Sequence, residues 1–351
     1  MKMKNTWMAS AATSVIAVLS IASHAQTRDL TIVSWGGPYQ EAQKEHMFKP
    51  FAAATGIKVV DEFWEGGIGV LRTKIQGGSN NWDVVQVEAD ELGIGCDEGL
   101  FEKISPEKVG GKERYLKDSL SPCGVGAVIY NVILAYDGDK LKQGPTGWVD
   151  FFDTKKFPGK RALRNNPKWN LEIALMADGV GREDVYKVLR TREGEARAFK
   201  KLDSIKRDLI FWKTGSQPPQ MLAAGDVTMT TAFNARITTA AEQNNRNFKI
   251  VWKDAPYTMD SWVIMKGTPD KINAEKLIEF STRAEPQAQI PKTSRSGPTN
   301  LGAFKLIDKR YQSDLPSDPE HFKVAMKEDA KFWIDNFDRI SERWNKWAGT
   351  N

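Results

Sequence analysis

Residues Leu30 to Val60 constrain what this chain can fold into more than any other stretch. Leu30-Thr31-Ile32-Val33 is too short for a buried helix and rich in β-branched residues, the pattern of a strand. Ser34-Trp35-Gly36-Gly37-Pro38-Tyr39 follows, a turn that no regular element holds. Met47, Phe48, Phe51 and Ala52 share one face of a helix, with a bend expected at Pro50. Gly56 stands where a helix ends in a left-handed residue, and Ile57-Lys58-Val59-Val60 predicts a second strand. Strand, helix and strand at this spacing predict a parallel pair with a right-handed crossover. Ligands of such sheets meet the loops at the carboxyl ends of the strands. The first of these loops carries Trp35 and Tyr39 beside glycines. An indole there either stacks on a ligand or folds back into the core, where Trp usually goes.

Ahead of that unit, Lys2 and Lys4 precede an apolar run from Met8 to Ile21, and Ala22-Ser23-His24-Ala25 gives a small-x-small site. This is the pattern of a secretory signal peptide cleaved after Ala25. The run is too short for a spanning helix and has no polar face for an amphipathic one. Gln26, not Cys, comes next, so no lipid anchor is expected. An exported, periplasmic protein is expected, without further membrane spans. Losing Lys2 and Lys4 lowers the formal charge from +5 to +3, with no block of Lys or Arg, which argues against a nucleic-acid partner. Only His46 and His321 lie beyond Ala25, too few for a His-based metal centre, and no cofactor is expected. Cys96 and Cys123 are the only cysteines. In an oxidising compartment they form a disulfide worth on the order of 3 kcal/mol, or else remain two buried thiols.

Strands alternate with helices along the rest of the chain, which argues an α/β fold. Trp82-Asp83-Val84-Val85 predicts a third strand running into the acidic junction Glu88-Ala89-Asp90-Glu91. Asp90 and Glu91 have a structural explanation, since acids favour the first turn of a helix; Glu88, one step earlier, is placed to point at a ligand. The apolar run Ala127 to Tyr136 is long for one strand and suits one that leaves one sheet for another. Tyr257 to Met265 is expected to return. Phe332, Trp333, Phe337, Ile340, Trp344 and Trp347 read as the packing face of a terminal helix. The expected organisation is a signal peptide (1–25), one lobe from 26–126 plus 262–310, a second lobe from 127–261, and C-terminal helices (311–351) packing on both.

Enzymatic motifs are lacking. There is no phosphate loop, no dinucleotide-binding pattern and no Gly-x-Ser-x-Gly elbow. Cys123 is the one conceivable nucleophile, and no base is placed beside it. What remains is a set of strand-end residues from both halves: Trp35, Tyr39, Glu88, Asn166, Trp169, Phe233 and Asp260. Aromatic faces attract organic cations, and a buried carboxylate fixes an ammonium. Arg164, Arg236 and Arg295 also lie in candidate loops, so an anionic or zwitterionic solute is the alternative.

These residues resemble a known group, the periplasmic solute-binding proteins of polyamine-type (spermidine/putrescine) ABC importers. The resemblance rests on Ser34-Trp35, Ala54-Thr55-Gly56-Ile57-Lys58-Val59, Trp82-Asp83-Val84-Val85 with Glu98-Gly99-Leu100, Lys156-Phe157-Pro158-Gly159-Lys160, Met259-Asp260-Ser261 and Gly297-Pro298-Thr299-Asn300. It implies a type II two-lobe periplasmic binding protein fold with lobes joined by crossing strands. It also implies a monomeric, non-enzymatic receptor that hands a small solute to an ABC permease at the inner membrane. Trp35 corresponds to the family's stacking ring and Asp260 to its ammonium-binding carboxylate. Asn166 and Trp169 stand where polyamine binders carry two acids, Phe233 replaces a Trp, and Thr258 replaces another. One expected amine-binding acid therefore remains, with Glu88 placed to compensate.

Overall fold

The computed structural model describes Met1, residues 28–78 and residues 80–349. The signal peptide and its cleavage site lie outside the described residues. The strands are β1 (Leu30–Ser34), β2 (Val59–Phe63), β3 (Val84–Val87), β4 (Gly124–Asp137) and β5 (Arg161–Arg164). They continue with β6 (Leu209–Trp212), β7 (Met229–Phe233), β8 (Phe248–Val251), β9 (Pro256–Ile264) and β10 (Met326–Lys327). They pair in the order β2-β1-β3-β9-β4-β7-β5-β6, with β10 beside β9 and β8 beside β4. β1 is parallel to β2 and β3, and β5 is parallel to β6 and β7. β9 runs antiparallel between β3 and β4.

β4 makes the architecture two-lobed. Up to Asn131 it pairs with β9, and from Val132 it pairs with β7. Its apolar residues are buried from Val125 to Ala135, because both of its halves are interior strands. One continuous strand therefore belongs to the half built on β1, β2 and β3 and to the half built on β5, β6 and β7. The carboxyl ends of β3 and β5 both face the space between these halves.

The first unit departs from expectation in three places, the first being that Gly37-Pro38-Tyr39, expected within the turn, already open a helix, with Pro38 in its first turn where its missing N–H costs nothing. The helix after β1 is α1 (Gly37–Gln43), a π-helical turn over Lys44–Phe48, and α2 (Lys49–Thr55), ending at Gly56 with φ 73°. The wide turn lies just before Pro50, whose ring would clash with the carbonyl four residues earlier. β2 starts two residues later than the sequence predicts, because Ile57 and Lys58 link the helix cap to the strand, where the Lys58 carbonyl accepts from the Leu30 amide at 3.0 Å. It then runs on through Asp61 and Glu62, charges that an edge strand tolerates. Next come α3 (Ile68–Gln76) and α4 (Ala89–Asp97).

Cys96, near the end of α4, is bonded to Cys123, just ahead of β4, with Cα atoms 5.8 Å apart. The loop spans 27 residues, and its closure contributes about 3–4 kcal/mol in the chain-entropy account. With its sulfur in this bond, Cys123 has no thiolate to offer as a nucleophile. The terminal helix Ala330–Gly349 buries Phe332, Trp333, Ile340 and Trp344. It packs on α4, where a Cβ at Gly93 would collide with Ile334. Farther along, Arg339 and Arg343 each reach Glu195 of the second half at 2.7 Å. This helix therefore bridges the two halves. No helix among the described residues is long and apolar enough to cross a membrane.

Candidate functional site

A cavity of about 380 Å³ opens between the halves. The β1–α1 turn supplies Trp35 and the first turn of α1 supplies Tyr39; the ends of β3 and β5 supply Glu88 and Arg164. β4 supplies Tyr130, the β7 end supplies Phe233 and Arg236, and β9 supplies Asp260. Each comes from a strand or from the first residues after one, so rigid sheet positions the chemistry.

Five of the seven residues singled out from the sequence meet here: Trp35, Tyr39, Glu88, Phe233 and Asp260. Trp35 is half-buried and stacked on Trp64, with ring centroids 5.3 Å apart and planes 17° from parallel. Part of its stacking capacity is thus met within the protein. Its Nε1 is buried without a partner. Asn166 lines a neighbouring cavity, and its side chain caps the Lys168 amide at 2.8 Å. Trp169 does not line the cavity. Its φ of 69° turns the chain into the helix Asn170–Ala177, its ring is 1% exposed behind Tyr130 and Phe233, and its Nε1 donates to Glu328 at 2.5 Å.

Asp260 is 3% exposed. Its Oδ2 accepts from Gln86 Nε2 at 3.3 Å, and its Oδ1 is buried without a partner. Burial, and then the charge of Glu88, push its carboxyl well above the usual carboxylate range, with Tyr130 opposing. Burial thus favours its neutral form, and an ammonium at Oδ1 would favour the carboxylate. Gln86 is the hub behind the site. It accepts from Gln43 at 2.9 Å and exchanges hydrogen bonds with the Tyr39 hydroxyl. A polar residue within the apolar Val84–Val87 strand is a visible sign of such a role, and the sequence reading passed over it.

Glu88 was a candidate for the ammonium as well. In the structure it meets protein cations instead. Its Oε1 accepts from Arg164 Nη1 at 2.8 Å and its Oε2 from Lys168 Nζ at 2.5 Å. Burial opposes the charge, but the two cations outweigh it and hold Glu88 down to about 2. Lys168 also pairs with Asp90, and the ammonium is 1% exposed. Glu91 caps its own helix: its carboxylate accepts from the Glu88 amide at 2.9 Å and the Gly67 amide at 2.5 Å.

The three arginines fall into three situations. Arg164 belongs to the Glu88 pair. Arg295 lies off the cavity, 3% exposed and paired with Glu242. Arg236 lines the cavity, and among the described residues no carboxylate pairs with it. Its Nη2 donates to the carbonyls of Trp35 at 2.8 Å and Gly36 at 3.1 Å, and its Nη1 fills the space that a Cβ at Gly37 would take. Tyr39 lies within the fields of both Asp260 and Arg236. The lining thus carries the acidic side chains Glu65, Glu88 and Asp260 and the basic side chains Arg164, Lys213 and Arg236.

Two lobes sharing a strand, with a cavity between them lined by aromatic and charged side chains, define a receptor for a small solute. Residues 46–322 match the family model described as bacterial extracellular solute-binding protein. The chain belongs to that family. It is 42% identical over 327 residues to a gamma-aminobutyric acid-binding protein of Pseudomonas aeruginosa, covering 93% of each chain. Among solved structures, it is similar to the PBP MotA of A. tumefaciens B6 in complex with glucopine, at 30% identity and TM-score 0.87, covering 91% of this chain and 99% of that one. It is also similar to the Atu4243-GABA receptor, at 32% identity and TM-score 0.82, covering 92% and 98%.

Proposed function

We propose that this protein is the periplasmic solute-binding component of an ABC importer, and that its cargo is a short zwitterionic amino acid of the γ-aminobutyric acid type. The observation that carries the reading is one buried carboxylate oxygen and one guanidinium, both without a charged partner among the described residues, on the same cavity. Asp260 takes the ammonium and Arg236 the carboxylate, with the free Trp35 Nε1 as a further donor. Trp35, Tyr39, Tyr130 and Phe233 enclose the carbon chain. The names of the Pseudomonas relative and the Atu4243 structure support an amino acid of this type.

A polyamine suits the cavity less well. Its second ammonium would need a second free acid, and Glu88 has both oxygens committed to Arg164 and Lys168. Binding is the role, not catalysis. The halves hinge where β4 passes from β9 to β7, solute selects the closed form by bridging them, and the permease receives it from there. A thermal-shift screen of amino acids, amines and opine-like solutes tests the reading. A solute held at a hundred times its Kd stabilises by about 2.7 kcal/mol. The largest shifts should come from ω-amino acids; shifts confined to diamines, or to dicarboxylates, would reject the zwitterion.

A further inference from the structure

Beside the cavity just described lies a second one of about 280 Å³, lined among others by Gly66, Gly67, Glu91, Asn165 and Asn166. Glu65, Glu88, Arg164 and Lys213 line both. Among these shared residues, Glu65 and Lys213 are exposed, whereas Glu88 is 6% exposed and bonded to Arg164. Glu88 and Arg164 are thus the buried part of the boundary that the two spaces share.

We infer that Glu88, fixed by Arg164 and Lys168, is the specificity-determining wall that limits the length of the solute. The inference rests on the zwitterion reading and adds to it which zwitterions are admitted. Glu88 is the residue before α4, in an extended conformation with φ −71° and ψ 163°, and a reciprocal capping arrangement with Glu91 anchors its backbone. Its two oxygens are engaged by two different cations, so the side chain has no freedom to swing aside. Displacing it would leave Arg164 and Lys168 buried with fewer counter-charges. Glu88 comes from the half built on β3, and both cations come from the half built on β5. The wall is therefore completed only as the halves meet, and an overlong solute obstructs closure itself. The polar compartment beyond stays shut to the solute while the wall stands.

Titration of β-alanine, γ-aminobutyrate, δ-aminovalerate and ε-aminocaproate into the intact protein and into Glu88→Ala tests this. The wild type should favour the shorter members. In Glu88→Ala the ratio of long-chain to short-chain Kd should fall by about tenfold or more. Glu88→Gln, which keeps the bulk, should preserve the wild-type order. A variant that weakens every member by one common factor shows a purely structural role and overturns the wall, as does a wild type indifferent to length. Near-UV circular dichroism establishes that the variants are folded. Absence of binding by any member to the folded wild type overturns the zwitterion reading instead, and the wall with it.

Discussion

Arg236→Ala should weaken binding of a short ω-amino acid by about 2–4 kcal/mol, while the matching simple amine loses only about 1 kcal/mol. The larger loss follows from leaving a carboxylate in a buried cavity without its cation. Burial already disfavours the guanidinium charge at Arg236, and among the described residues no acid compensates it. A ligand carboxylate would supply the missing partner. The smaller, general loss reflects the two carbonyls of Trp35 and Gly36 that Arg236 holds across the cleft, contacts that help any closed complex. Calorimetric titration of both ligands against both proteins measures the difference. An equal loss for amine and amino acid would reduce Arg236 to an inter-lobe brace.

Lys168→Met should weaken every solute, short or long, by about 3–5 kcal/mol, through the cost of closure. The Lys168 ammonium joins Glu88 and Asp90, all three nearly sealed from solvent. Burial disfavours its charge, yet Asp90 and Glu88 outweigh that and raise its pKa well above the usual lysine value. Removing it leaves Asp90 buried without its cation and Glu88 with Arg164 alone in the closed form. In an open form water would solvate them. The cost therefore falls on closure, and apparent affinity drops with the closed population. Small-angle scattering of the liganded variant should show a larger radius of gyration than the liganded wild type. Loss of thermal stability with unchanged closure and affinity would place the cluster in the fold rather than in the lobe movement.

The fold was largely legible because its strands and terminal helix carry strong local patterns. β4 declared its double role through an apolar run too long for one sheet, and the aromatics from Phe332 to Trp344 declared a packing face. The shift of β2 was not legible, since an edge strand accepts Asp61 and Glu62 as readily as a loop does. Trp35, Tyr39, Phe233 and Asp260 could be found because strand ends and turns mark where a cleft forms. Trp169 looked the same in sequence, but its ring packs behind Tyr130 and Phe233 and bonds to Glu328. Lys168 left no sign: its partners Glu88 and Asp90 lie 80 and 78 residues away along the chain. That one pairing decides whether Glu88 serves a ligand or the protein, and only tertiary structure shows it.

The central claim is that the cleft recognises two opposite charges at once. Calorimetric titration with γ-aminobutyrate, putrescine and succinate, in buffers of differing ionisation enthalpy, tests it most directly. γ-Aminobutyrate should bind at least about a hundredfold more tightly than the diamine or the dicarboxylate of the same chain length, since each of those leaves one buried charge opposed by its own kind. Its binding should also release a proton, as Asp260 ionises against the incoming ammonium. Tighter binding of putrescine, or of succinate, would contradict the account.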